Sequence, residues 1–123
     1  MKLRVRHNSL RLRLTQREVS QLGSGSAVEE SVVFSREPLA ELVYRVESGP
    51  VLHIEAAFAQ AQITVRVPWT QVQHWANSDE VGIGAAQPTG HTSPLTILIE
   101  KDFACATARP GDETPDAFPH PAC

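Results

Sequence analysis

Long apolar runs are missing from this chain. No stretch approaches the roughly 18 apolar residues that a membrane-crossing helix needs, and Met1-Lys2-Leu3-Arg4 leads into alternation where a secretory signal would carry an apolar block. No membrane partner is expected, and the cytoplasm is the expected location. Cysteine is scarce as well. Cys105 and Cys123 lie 18 positions apart, and without a secretory signal such a pair is expected as free thiols. Extremes of composition are also absent: 41% hydrophobic and 20% charged residues exclude a disordered or fibrous chain. There is no internal repeat, and Gly23-Ser24-Gly25-Ser26 is too short to separate domains. The 123 residues are therefore read as a single domain, 1–123.

Acidic residues are missing from the first seventeen positions, which hold Lys2, Arg4, Arg6, Arg11, Arg13 and Arg17; the acids that give the net charge of -3 all lie from Glu18 onward. An acidic protein is a poor default nucleic-acid binder, but a local basic face can hold an anion or pair with an acidic partner. The plainer reading of alternating arginines is the solvent face of a half-buried strand.

Leu3 and Val5 alternate with Arg4 and Arg6, and Leu10, Leu12 and Leu14 alternate with Arg11 and Arg13. The parity flips between them, so His7-Asn8-Ser9 must turn or bulge. Thr15 with Glu18 forms a capping box, and Gly23 stands where a C-terminal cap would sit, which predicts a two-turn helix over 16–22. Four strands come next, at 28–35, 40–47, 51–58 and 62–67, in the pattern of an antiparallel meander. Pro68 suits a helix start, and Trp69, Val72, Trp75 and Ala76 share one helical face that would cover the sheet. A short strand at 81–84, a mobile loop at 85–94 and the buried strand 95–99 complete the body. Residues 100–123 hold both cysteines and four of the nine prolines. They read as an irregular C-terminal segment packed on the domain through Phe103 and Phe118.

Several constellations could carry chemistry. Cys105, His120 and Cys123 have ligand types that suit zinc. However, a structural zinc site usually shows paired close ligands at both ends, and Cys105 stands alone. No cofactor is expected, with zinc the alternative. Neither cysteine has the sequence context of a cysteine nucleophile. The strand arginines Arg4, Arg6, Arg11, Arg13, Arg45 and Arg66, with Glu47, Glu55 and Glu100, could form a phosphate-handling enzyme site if the sheet curled into a barrel. Gly82-Ile83-Gly84 is too short to cradle a phosphate.

Two resemblances add to this. Arg6-His7-Asn8-Ser9-Leu10-Arg11-Leu12-Arg13-Leu14, leading into a short helix, resembles the swapped-hairpin (AbrB-like) DNA-binding domains of bacterial transition regulators and antitoxins. His7 stands where those domains have glycine. The resemblance implies nucleic-acid contact through the basic hairpin. A resemblance spanning nearly the whole chain is to a family of short bacterial proteins with no assigned activity. It is carried by Asn8 to Gln16, by Trp75 to Ile83, and by Ile99 to Cys105 with Asp116 to Pro119. It implies a common small α+β domain and supplies no function.

The resulting expectation is an α+β domain. It would contain an antiparallel sheet or partly open β-barrel of about six or seven strands, two short helices and an irregular tail. The expected function is that of a non-catalytic binding or interaction module, with no catalytic residues. Its partner would be an unknown protein or anionic ligand, met by Asn8, Arg11, Arg13, Asp79, Glu100, Lys101, Asp102 and Cys105. Nucleic-acid binding, a phosphate enzyme and zinc binding are the alternatives.

Overall fold

The computed structural model describes residues 1–103. Eight strands and two helices run in the order β1 (Lys2–Arg6), β2 (Ser9–Leu14), α1 (Gln16–Gly23), β3 (Val28–Arg36), β4 (Leu39–Gly49), β5 (Glu55–Ala59), β6 (Gln62–Pro68), α2 (Trp69–Ala76), β7 (Gly82–Gln87) and β8 (Leu95–Lys101). They form two four-stranded sheets, ordered β1-β2-β8-β7 and β3-β4-β6-β5. Each sheet has two antiparallel pairs joined by a parallel central pair, β2 with β8 and β4 with β6.

The expected meander is thus corrected. β6 passes its hairpin partner β5 and lies parallel to β4. The expected strand 51–58 is also shorter, because Val51 to Ile54 lie outside any strand and Leu52 is 89% exposed. β7 runs to Gln87 and β8 to Lys101, so part of the expected mobile loop and the first two residues of the expected tail are sheet. The rest of the tail from residue 104, including Cys105, Phe118, His120 and Cys123, lies outside the described residues.

The turns explain the elements. Arg6 pairs with Ser9 across a two-residue turn in which His7 takes φ 50°, so the parity flip is a hairpin. Gln60 (φ 52°) and Ala61 (φ 60°) form the β5–β6 turn, with both central residues at positive φ as a type I′ turn requires. Helix α1 starts as expected. Thr15 Oγ1 accepts from the Glu18 amide at 3.3 Å, and the Glu18 carboxylate accepts from the Thr15 amide at 2.9 Å.

One apolar cluster lies between the sheets. Leu12, Leu14, Ile83, Ile97 and Ile99 from the first sheet meet Val28, Val46, Val65 and Val67 from the second. Val19 and Leu22 of α1 and Val72 and Trp75 of α2 join the same cluster. Trp75 is fully buried and donates its indole N–H to the Val81 carbonyl at 3.1 Å. Trp69, expected on that face, is instead 45% exposed and lies beside Gly25.

The sheet edges approach one another without backbone pairing, so neither sheet closes into a barrel. On one side the Met1 α-amine donates to Glu18 at 2.6 Å and Glu30 at 3.0 Å, tying β1 to α1 and β3. On the other, the Gln87 side chain bridges β7 to Ala56 of β5.

Candidate functional site

The register of the first sheet places its residues in rows that cross all four strands. Three rows face away from the core: Lys2-Arg13-Glu100-Gly82, Arg4-Arg11-Leu98-Gly84 and Arg6-Ser9-Thr96-Ala86. This face gathers five cationic side chains, with Glu100 and Asp102 as the carboxylates brought to it among the described residues. Lys2 and Arg13 are directly opposed, as are Arg4 and Arg11. Opposed residues on antiparallel strands have Cβ atoms about 4.5–5.5 Å apart, where like charges destabilise the pair.

Glu100 organises the face. Its Oε1 lies 3.4 Å from Arg11 Nε and 3.7 Å from Arg13 Nε, and the residue is only 7% exposed. Gly82 allows this placement, since a Cβ there would lie 3.2 Å from Glu100 Cγ; at Gly84 a Cβ would instead lie 2.7 Å from the Ile97 carbonyl oxygen. The outward positions of β7, beyond β8, are Gly82, Gly84 and Ala86. Lys2 Nζ meets Asp102 at 3.0 Å at one end of the face. At the other, Arg4, Arg6, Ser9 and Arg11 line a hollow of about 40 Å³. That volume holds about one water-sized group.

The outer face of the second sheet provides the contrast. There the register pairs opposite charges, Glu29 with Arg45 and Glu47 with Arg66. Arg45 meets Glu47 at 2.7 Å and Glu29 at 3.3 Å, and Arg66 meets Glu47 at 3.2 Å. The hydrogen bond from Arg45 chiefly holds the Glu47 carboxyl below its usual range, with Arg66 adding to it, while partial burial opposes them. The Arg45 guanidinium is raised in turn, first by its bond to Glu47.

The convergence of strand arginines that a curled sheet would have brought about does not occur. The apolar faces of both sheets are turned inward, leaving Arg4, Arg6, Arg11 and Arg13 on one outer face and Arg45 and Arg66 on the opposite one. No polar lumen joins them, because the space between the sheets is filled by the apolar cluster.

The expected surface residues are brought together only in part. Arg11, Arg13 and Glu100 share the arginine face, and Asp102 lies at its end. Lys101 points to the other side of β8, with Nζ 5.8 Å from the Trp75 ring centre and donating to the Ser78 carbonyl at 2.7 Å. Asn8 sits in the β1–β2 turn, where its side chain donates to the Pro94 carbonyl at 3.0 Å. Asp79 lies between α2 and β7, beyond the opposite end of β8. Cys105 falls outside the described residues, as do the zinc candidates Cys105, His120 and Cys123. Among the described residues no group of three or more His, Cys, Asp or Glu side chains is gathered around a possible metal position. Lys2, Ser9, Gly82 and Gly84 join the face without having been expected there. The signal that could have found them is the two-residue turn, which sets Lys2, Arg4 and Arg6 beside Arg13, Arg11 and Ser9.

Fold and site together define a small α+β domain of two facing sheets, one of which carries a basic outer face. The chain belongs to DUF7009, a family of unknown function, whose family model matches residues 1–122. No curated protein and no solved structure matches it. No helix among the described residues is long and apolar enough to cross a membrane.

Proposed function

We propose that this chain is a binding module whose arginine face takes an anionic group, a carboxylate or phosphate, presented by a protein or small-molecule partner. The observation that carries this reading is the register of β1 on β2. It opposes cation to cation twice, whereas the second sheet uses the same architecture to oppose cation to anion. An anion bound across Arg4 and Arg11 adds charge-assisted hydrogen bonds to those the face already makes. Glu100 sets the orientation of Arg11 and Arg13.

The test is calorimetric titration of the full chain with inorganic pyrophosphate and, separately, with a glutamate-rich peptide, at low and high salt. Binding is expected to weaken steeply with salt. It should fall about tenfold or more in the Arg4→Gln/Arg11→Gln double variant, since charge-assisted hydrogen bonds contribute about 1.5–3 kcal/mol each. Because Arg11→Gln also removes a partner of the buried Glu100 carboxylate, the double variant is expected to melt lower, and its fold is checked by far-ultraviolet circular dichroism before the titration. Absence of binding to either probe, or binding indifferent to both substitutions, would overturn the proposal. A duplex DNA titrated in parallel tests the alternative of nucleic-acid contact, whose affinity would track salt with a slope set by the number of phosphates engaged.

A further inference from the structure

The chain leaves β8 at one end of the arginine face. Asp102 meets Lys2 Nζ at 3.0 Å, and its amide donates to the Leu14 carbonyl at 2.8 Å, so this exit point is fixed against β1 and β2. The 20 residues that follow Phe103 bring Asp112, Glu113 and Asp116 within five positions, with Arg109 their only lysine or arginine. The first seventeen residues, which supply the five cations of the face, hold no acid at all. The two ends of the sequence thus carry opposite charge, and the fold starts one beside the other.

Reach is sufficient. Along β8 the step from Asp102 to Thr96, which is level with Ser9 and Arg6, covers about 20 Å. Asp112 stands nine residues beyond Phe103, a length of chain that spans up to about 30 Å. Charge selects between the two outer faces. On the second sheet Arg45 and Arg66 are matched to Glu29 and Glu47, and the apolar cluster separates that face from the exit point. On the first sheet five cations stand with Glu100 and Asp102 among the described residues, so an acidic segment is complementary to this face and not to the other.

Resting on the anion-binding reading of the arginine face, we propose that Asp112, Glu113 and Asp116 are a tethered competitor for it, which an external anion displaces. A tethered group acts at an effective concentration in the millimolar range when its tether is short. The face is then competent only while these acids are away, and the apparent affinity of an external anion is reduced by that competent fraction. A lone carboxylate competes poorly with three tethered ones. The device therefore selects polyanions, such as a phosphate ester or an acidic peptide, over single carboxylates.

The test uses the full chain and inorganic pyrophosphate. The Asp112→Asn/Glu113→Gln/Asp116→Asn variant should bind it about threefold or more tightly than the parent at low salt, a gain that shrinks as salt rises. A control, Glu37→Gln/Glu41→Gln/Glu55→Gln, makes the same change of net charge on the second sheet and its turn. It should leave the affinity within about twofold of the parent. A ¹⁵N-labelled chain with a nitroxide on Ala117→Cys, and with Cys105→Ser and Cys123→Ser, reads the docking directly. Its Arg4, Arg6, Ser9 and Arg11 amides should broaden, and pyrophosphate should relieve the broadening. A neutralised segment that binds no tighter, an equal gain in the control, or broadening that is absent or indifferent to pyrophosphate would overturn the competitor and leave anion binding by the face standing. If neither the parent nor the neutralised chain binds pyrophosphate, the anion-binding reading fails and the competitor fails with it.

Discussion

Gln60 and Ala61 hold backbone conformations that favour glycine and asparagine, since an L side chain at positive φ costs about 1–2 kcal/mol. Replacing them by the pair best suited to a type I′ turn, Gln60→Asn with Ala61→Gly, is predicted to raise stability by about 1 kcal/mol. Urea denaturation checks this, and an unchanged midpoint would refute the turn assignment. Glu47 gives a residue-scale prediction with a pH dependence. Its folded-state carboxyl is lowered chiefly by Arg45, so its contribution is present above the unfolded-state value and is lost as the pH falls through the lower, folded-state value. The stability gap between the parent and Glu47→Gln should therefore be constant near neutrality and close under acid. A gap that instead widened on acidification would contradict the ion-pair assignment. The Met1 amine and Glu18 act in a related way. Burial, the largest single influence, pulls the amine down, but bonds to Glu18 and Glu30 outweigh it and raise the amine, while Glu18 is lowered against its own desolvation.

At the scale of elements, local chemistry was readable where the partner lies a few residues away. The capping box is one such case: Thr15 and Glu18 meet within a single helical turn, so their spacing alone identifies the helix start. Thr15→Ala is predicted to cost about 1 kcal/mol, measured as a shift in the thermal midpoint; a neutral effect would mean that the cap adds nothing to stability. The strand order was less readable. Alternation in Gln62–Pro68 shows a strand with one apolar face, but nothing local says that it joins β4 instead of extending beyond β5. Parallel pairing is specified by packing of the rows between the sheets, a property of residues far apart in sequence. The arginine face was half legible for the same reason. Arg11 and Arg13 could be assigned to one strand face, whereas the alignment of Arg4 with Arg11 depends on the two-residue length of the turn at His7 and Asn8. Lys101 is turned from that face because adjacent residues of a strand point to opposite sides, and Asp79 precedes β7 at the end of the face where Gly82 pairs with Glu100.

For the whole molecule, the decisive feature is that one apolar cluster belongs to both sheets. Leu12→Ala in the first sheet should cost about 2–5 kcal/mol and Val65→Ala in the second about 2 kcal/mol. Both are expected to lower the midpoint of one shared unfolding transition, monitored by tryptophan fluorescence and by far-ultraviolet circular dichroism. Two separate transitions would show that the sheets fold independently. The arrangement also encloses one sheet within the other along the chain, since β3 to β6 occupy the interval between β2 and β7. On a ribosome, the second sheet has all four strands available while the first still has only its opening hairpin. Leu12 and Leu14 must wait for Ile99 and Lys101 before their backbone can be paired on the side away from β1. The basic face is consequently the last part of the sheet architecture to be assembled. Until then its arginines lie on a bare two-stranded ribbon, and Glu100, the residue that arranges them, arrives with the final strand.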